Sequence, residues 1–198
     1  MSSNGTLQRG MIRLFVALRP PPPIRARLLA AMGDIGAARW QDDAQLHVTL
    51  RFIGGVERPV AEDVAASLAS VHADAPIVSL AGVDRFAHRG RTDTLWAALA
   101  PHDALRALHR KVDHACVRAG LEPERRAYVP HVTLARLPRG AGAEIEIERW
   151  LASQAGLASD PFVLPHLVLY ESILGRDGAV YEPVMRWPLG TAAAAPGS

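Results

Sequence analysis

A chain of 198 residues with 49% hydrophobic and 21% charged residues has an ordinary globular composition and is long enough to bury a core. A formal charge of +2 excludes a strong polyelectrolyte field, and the lone cysteine, Cys116, excludes an internal disulfide. No apolar run approaches the ~20 residues that cross a bilayer, and the polar residues 1–10 lack the apolar middle of a signal peptide, so a cytoplasmic protein without membrane association is expected.

Residues 1–10 and 190–198 are expected to be disordered, which leaves 11–189 as one domain. Residues 12–18 are a short apolar run stopped by Arg19 and prolines, as in a buried strand. Proline fits a first helical turn, so Pro20 to Pro23 lead into a helix over 24–32. Residues 46–53 alternate and predict a strand that Gly54-Gly55 ends. Residues 59–72 space Val60, Val64, Leu68 and Val71 about one helical turn apart, and 77–86 predict a strand.

The pattern then restarts. Residues 94–99 predict a strand, and 103–119 a helix with Leu105, Leu108, Val112 and Cys116 on one face and Gly120 at its end. A strand follows over 129–137. Residues 144–155 predict a helix, although Glu144-Ile145-Glu146-Ile147 alternates locally. Strands over 161–170 and 179–187 are joined by a turn at Gly175-Arg176-Asp177-Gly178. Nothing resembles a linker, and the loop over 87–93 is the nearest candidate.

The restart is a repeat. Leu14-Phe15-Val16-Ala17-Leu18 corresponds to Leu95-Trp96-Ala97-Ala98-Leu99, and each unit closes on the same tetrapeptide, His47-Val48-Thr49-Leu50 and His131-Val132-Thr133-Leu134. A strand, a helix and a second strand are used twice, which predicts an α+β protein of two sheets related by a pseudo-two-fold axis.

Strand residues two apart point the same way. His47, Thr49 and Arg51 should therefore share one face, with Val48, Leu50 and Phe52 packed on helices behind it. His131 and Thr133 should share a face, with Val132 and Leu134 in the core. Polar pairs on apolar strands are costly to bury unpaired, and an open cleft between sheets would explain them. Two imidazoles across a cleft suit phosphoryl chemistry, because a side chain with pKa near ~6.5 can take a proton on one side while its twin gives one on the other. The threonine hydroxyls can donate to phosphate oxygens. A metal site would need further ligands, and His72, His88, His102, His109, His114 and His166 show no zinc-like spacing. No metal and no cofactor is called for. Neither a glycine-rich phosphate loop nor a serine nucleophile elbow is present.

The paired His-x-Thr-x motifs resemble the 2H phosphoesterase superfamily. So do the opening Arg13-Leu14-Phe15-Val16-Ala17-Leu18, Trp40, and Tyr128-Val129-Pro130 before the second motif. Together with Leu169-Tyr170-Glu171-Ser172 and Val180-Tyr181-Glu182-Pro183, they are similar to its RNA 2′,3′-cyclic phosphodiesterase branch, first named 2′-5′ RNA ligase. The resemblance spans about residues 13–189. It implies a bilobal fold, two antiparallel sheets flanked by helices around a central cleft, with one motif per lobe. It implies opening of RNA 2′,3′-cyclic phosphates to a 2′-phosphate and a free 3′-hydroxyl. His47 would give the proton to the leaving 3′ oxygen, His131 would activate water, and Thr49 and Thr133 would bind the phosphate. The identical motifs do not themselves distinguish donor from acceptor.

Arg136 stands where the family often has an arginine. Strict alternation would put it on the core face, so a bulge or strand end is expected there. Arg51 stands where lysine is frequent. Phe15, Tyr170 and Arg51 are further candidate substrate contacts, with core packing the plainer reading of both aromatics. The segment 85–91 reads as a solvated loop with a packed Phe86. The expected partner is an RNA end or nucleotide carrying a 2′,3′-cyclic phosphate, and the expected state is a monomer. A non-catalytic RNA-end binding module, 2′-5′ ligation, and action on another cyclic phosphate remain open alternatives.

Overall fold

The computed structural model describes residues 10–138, 143–175 and 178–190. Apart from Gly10 and Gly190, the two expected disordered ends lie outside these residues, as do Arg176 and Asp177 of the expected turn. Gly190 bridges to Asp74, so ordered pairing continues to that residue.

The elements follow in chain order as β1 (Met11–Leu18), α1 (Pro22–Ala30), β2 (Arg39–Trp40), β3 (Val48–Glu57), α2 (Arg58–Ala69), β4 (Ile77–His88), β5 (Arg91–Ala100), α3 (Asp103–Arg118), β6 (His131–Arg136), α4 (Glu144–Gln154), β7 (Phe162–Val163), β8 (His166–Gly175) and β9 (Gly178–Pro188). The chain is α+β with antiparallel strand pairing throughout the named ladders. One half orders its strands β7-β4-β5-β6 and the other β3-β1-β8-β9. The halves meet where Val48 of β3 pairs with Val132 of β6, so the two expected sheets are continuous at their seam.

The strand that follows each repeat unit through a helix and a connection crosses over. In the first unit, β1 and β3 pair in one half, while β4 adds to β5 of the other. In the second, β5 and β6 pair together, while β8 adds to β1. The helices cross as well. Helices α2 and α3 contact each other and back β3, while α4 lies against β4, with the Trp150 indole donating to Ala31 just past α1. This exchange is the physical reason no linker divides the sequence.

Several boundaries differ from the expected ones. Gly54 and Gly55 do not end β3, which runs on to Glu57. Gly54 has φ +82° and follows Ile53, which is left over where Leu14 and Phe15 pair with Gly54 and Phe52. Glycine serves here as the left-handed residue of a bulge, not as a strand terminator. The expected loop over 87–93 is a tight hairpin between β4 and β5, turning on Arg89 and Gly90, both at positive φ. The expected strand 161–170 is split by Leu164 and Pro165 into β7 and β8, which belong to opposite halves. Residues Glu144–Gln154 are helical, as the longer-range pattern of 144–155 predicts, with Ala155 as the C-cap.

Leu14, Val16, Leu18, Val48, Leu50, Leu95, Ala97, Leu99, Val132 and Leu134 join helix residues in one large core. Cys116 belongs to it, its thiol pushed up to about 11 by burial. On the opposite face of the sheet Phe15, Ala17, Val168 and Tyr170 form a small separate cluster. That helix-free face is the cleft.

Candidate active site

The two motifs meet at the seam. Extending the antiparallel register from the Val48–Val132 pair sets His47 opposite Thr133 and Thr49 opposite His131. The histidines are thus diagonal neighbours, roughly 7–8 Å apart at the backbone. That spacing leaves room for one phosphoryl group, with a threonine on either side of it. All four side chains are partly accessible.

Both imidazoles are oriented in the same way. His47 Nδ1 lies 2.6 Å from the Gln45 carbonyl, and His131 Nδ1 lies 2.7 Å from the Val129 carbonyl. A carbonyl only accepts, so Nδ1 carries the hydrogen in each ring and Nε2 remains for a ligand. Aromatic rings hold both imidazoles. Around His47 stand Phe15 at 4.9 Å, Tyr181 at 5.3 Å and Tyr170 at 6.3 Å. Around His131 stand Phe86 at 4.9 Å and Trp96 at 5.6 Å. Phe15 and Trp96 occupy equivalent places in the repeat.

The segment before each histidine is pinned by arginine–carboxylate pairs. Ahead of His47, Asp42 and Gln45 cap a short 3-10 turn reciprocally, and Asp43 accepts from Arg19 at 2.9 Å and Arg25 at 2.8 Å. Ahead of His131, Glu124 is held by Arg51 at 3.2 Å and Arg126 at 3.1 Å. The Arg126 side chain is the main cause that lowers the Glu124 carboxyl to about 2.

Strict alternation fails beyond the threonines, in both strands at the same place. Val16 and Ala17 pair with Arg51 and Thr49, which leaves Leu50 as a bulge. Leu95 and Trp96 pair with Ala135 and Thr133, which leaves Leu134 as the equivalent bulge. Each bulge reverses the faces of the residues after it. Arg51, expected beside His47 and Thr49, instead turns behind the sheet, where it pairs with Asp113 at 2.9 Å and donates to the Glu122 carbonyl. Phe52, expected in the core, is 51% exposed on the cleft face. Arg136 takes the matching position in β6 and donates to Thr94 Oγ1 at 3.2 Å. The bulge anticipated near Arg136 is therefore present, two residues before it.

Phe15 and Tyr170 are 2% and 4% exposed and stack on each other at 5.1 Å beneath His47. They support the imidazole more than they offer an open face. Phe86, expected in a solvated loop, is strand-bound and stacked on Trp96. Trp96, Tyr181, Phe52 and His109 were missed as site residues. The repeat could have flagged Trp96 through Phe15. His109 Nδ1 lies 2.7 Å from the carbonyl of the bulged Leu50, a contact without any local sequence signal.

Desolvation is the main cause that lowers the His47 pKa to about 4, reinforced by positive charge at His131, Arg136 and Arg19. Desolvation also lowers His131, with Arg136 adding to it. Both rings are thus neutral near pH 7 in the free protein. Among the described residues no group of three or more His, Cys, Asp or Glu side chains is arranged to hold a metal ion. No helix among them is long and apolar enough to cross a membrane.

Residues 20–174 match the family model of the 2′-5′ RNA ligase superfamily. The chain is 30% identical over 159 residues to the RNA 2′,3′-cyclic phosphodiesterase of Aeropyrum pernix, covering 79% of this chain and 90% of that one. It is 32% identical to a Geobacillus stearothermophilus protein of the same name, covering 76% of this chain and 47% of its relative. In fold it is similar to apo E. coli LigT, with TM-score 0.71 and 22% identity over 92% of this chain and 99% of that one. It is equally similar to a Thermus thermophilus protein, TT0787, with TM-score 0.72 and 21% identity over 91% and 100% of the two chains.

Proposed function

The chain belongs to the 2′-5′ RNA ligase superfamily of 2H phosphoesterases, and from that premise we propose that it hydrolyses RNA 2′,3′-cyclic phosphates to 2′-phosphate ends by histidine acid–base catalysis. The observation that carries the mechanism is the diagonal placement of two imidazoles, each with Nδ1 tied to a backbone carbonyl and Nε2 without a hydrogen-bond partner among the described residues. The names of the curated relatives support the substrate.

In the proposed reaction His131 Nε2 accepts a proton from water as its oxygen attacks phosphorus. The bond from phosphorus to O3′ breaks, and His47 delivers a proton from Nε2 to O3′. The products are a 2′-phosphate and a 3′-hydroxyl. The Thr49 and Thr133 hydroxyls donate to the non-bridging oxygens, where charge builds in the transition state. Arg136 adds positive charge on the same face.

The lowered His47 pKa fits a donor in one respect: an imidazolium that is costly to desolvate is a strong acid. Its proton must then arrive with the substrate. The anionic phosphodiester offsets the repulsion from Arg136 and Arg19, so binding should raise the His47 pKa and take up a proton. Both motifs lie in one chain and complete the site without a second copy. The proposed working form is therefore a monomer with residues 11–189 as its catalytic unit, and the proposed compartment is the cytoplasm.

Product analysis with an oligonucleotide ending in a 2′,3′-cyclic phosphate tests this reading. A 2′-phosphate end is expected. A 3′-phosphate product would overturn the assignment of the leaving oxygen, and tight binding without turnover would favour a binding module.

A further inference from the structure

A cavity of about 350 Å³ opens beside the His47 half of the site, lined in part by Arg13, Phe15, Arg126, Arg136, Ser172 and Tyr181. Three arginines line it, and no Asp or Glu among the described residues does. Arg126 is paired with Glu124, but Arg13 and Arg136 form no ion pair among the described residues. Concentrated and unneutralised positive charge in a concave site fits an anion.

The His/Thr pairs already serve the cyclic phosphate, so the second cationic site needs a second anion. Phe15 and Tyr181 pack on His47 and also line this cavity. If His47 protonates O3′, that oxygen departs from phosphorus on the His47 side, and its ribose, still bonded to phosphorus through O2′, lies toward the cavity. Water would enter on the other side, where an adjoining cavity of about 320 Å³ shares Phe52 and Arg126 with the first and is also lined by Thr49, Arg51, Glu124 and His131. A nucleoside 2′,3′-cyclic phosphate has no further charge to place among the arginines. A terminal RNA nucleotide has one, at its 5′ position.

We propose that this cavity binds the 5′ phosphate group of the terminal nucleotide, with Arg13 as its principal ligand, and thereby selects RNA ends over cyclic mononucleotides. The inference rests on the hydrolase reading above. The same chemistry has two sources, a 5′-phosphomonoester or the phosphodiester of a longer chain, and these call for separate substrates.

The test compares wild type with Arg13→Gln on a nucleoside 2′,3′-cyclic phosphate, its 5′-phosphorylated form, and a dinucleotide ending in the cyclic phosphate. In the wild type kcat/KM should be higher for the two substrates with a 5′ phosphate. Arg13→Gln should remove roughly tenfold of that advantage, the scale of one charge-assisted hydrogen bond, and leave the simple cyclic nucleotide within about twofold. A dinucleotide that alone shows the advantage identifies the phosphodiester as the ligand. Equal values for all three substrates in both proteins would overturn the subsite. If no substrate is hydrolysed, the hydrolase reading fails separately. Anisotropy with a labelled dinucleotide then decides the subsite: weaker binding by Arg13→Gln in an inactive His131→Ala background supports it, and unchanged binding refutes it.

Discussion

Strand β3 and its approach read His-Val-Thr-Leu-Arg-Phe, and β6 reads His-Val-Thr-Leu-Ala-Arg. Over the shared four residues the two halves do the same things: tie Nδ1 to a carbonyl two residues back, present a threonine, and bulge at leucine. Beyond the bulge they diverge. One half puts an aromatic ring, Phe52, on the cleft face and a charge, Arg51, behind the sheet. The other puts the charge, Arg136, on the cleft face and Ala135 behind it. A duplicated frame thus supplies two like histidines, and the two residues after each bulge make their surroundings unlike. His47 has three positive neighbours depressing its pKa, whereas His131 has one.

The largest test of the shared part is removal of the imidazoles. His47→Ala and His131→Ala should each lower kcat by about 10²–10⁴-fold. The double variant should lose little more than the worse single one, because the two act in one step. Clearly multiplicative losses in steady-state kinetics would show that the halves act independently. Next come the threonines: Thr49→Val and Thr133→Val should each cost about 10²–10³-fold in kcat if each donates to developing charge. A change in KM alone would reduce them to ground-state binders.

The divergent part is tested behind the sheet and then within the cleft. Arg51→Met leaves Asp113 without its cation and Glu124 with Arg126 alone, and should destabilise the fold by about 3 kcal/mol in denaturant titration. Ala135, its counterpart, has no such duty. Unchanged stability in Arg51→Met would remove the proposed difference between the rear faces. In the cleft, Arg136→Gln removes a positive charge near both rings, so both pKa values should rise, as read by NMR titration. The lowered His47 pKa also sets the sign of its effect on stability. A folded-state His47 pKa of about 4 against an unfolded value near ~6.5 means that the unfolded chain binds the proton first. His47 therefore weakens folding as pH falls from about 6.5 toward 4, with no further loss below that. His47→Gln should flatten that part of the stability profile.

Much of the site was legible because it rests on local periodicity. The doubled His-Val-Thr-Leu, the apolar runs before each copy and the helical spacing of Leu105, Leu108, Val112 and Cys116 all carry through to the fold. Arg51 and Phe52 were not legible, since one extra residue at Leu50 reverses every later face and no local signal marks it. The crossing of β4 and β8 was not legible either. A strand's own alternation says which side is apolar but not which neighbour it pairs with.

The sequence by itself determined that two His/Thr pairs recur on equivalent strands, because side-chain alternation is a property of the backbone and needs no partner. Only the tertiary structure decided that the pairs lie diagonally across one seam. It alone placed Arg136 on the cleft face, turned Arg51 to Asp113 and Glu124, and brought Arg13, Arg126 and Arg136 to one cavity. Those are relations between segments far apart in the chain, set by strand register, bulges and exchanged strands, and they exist only once the two halves have packed.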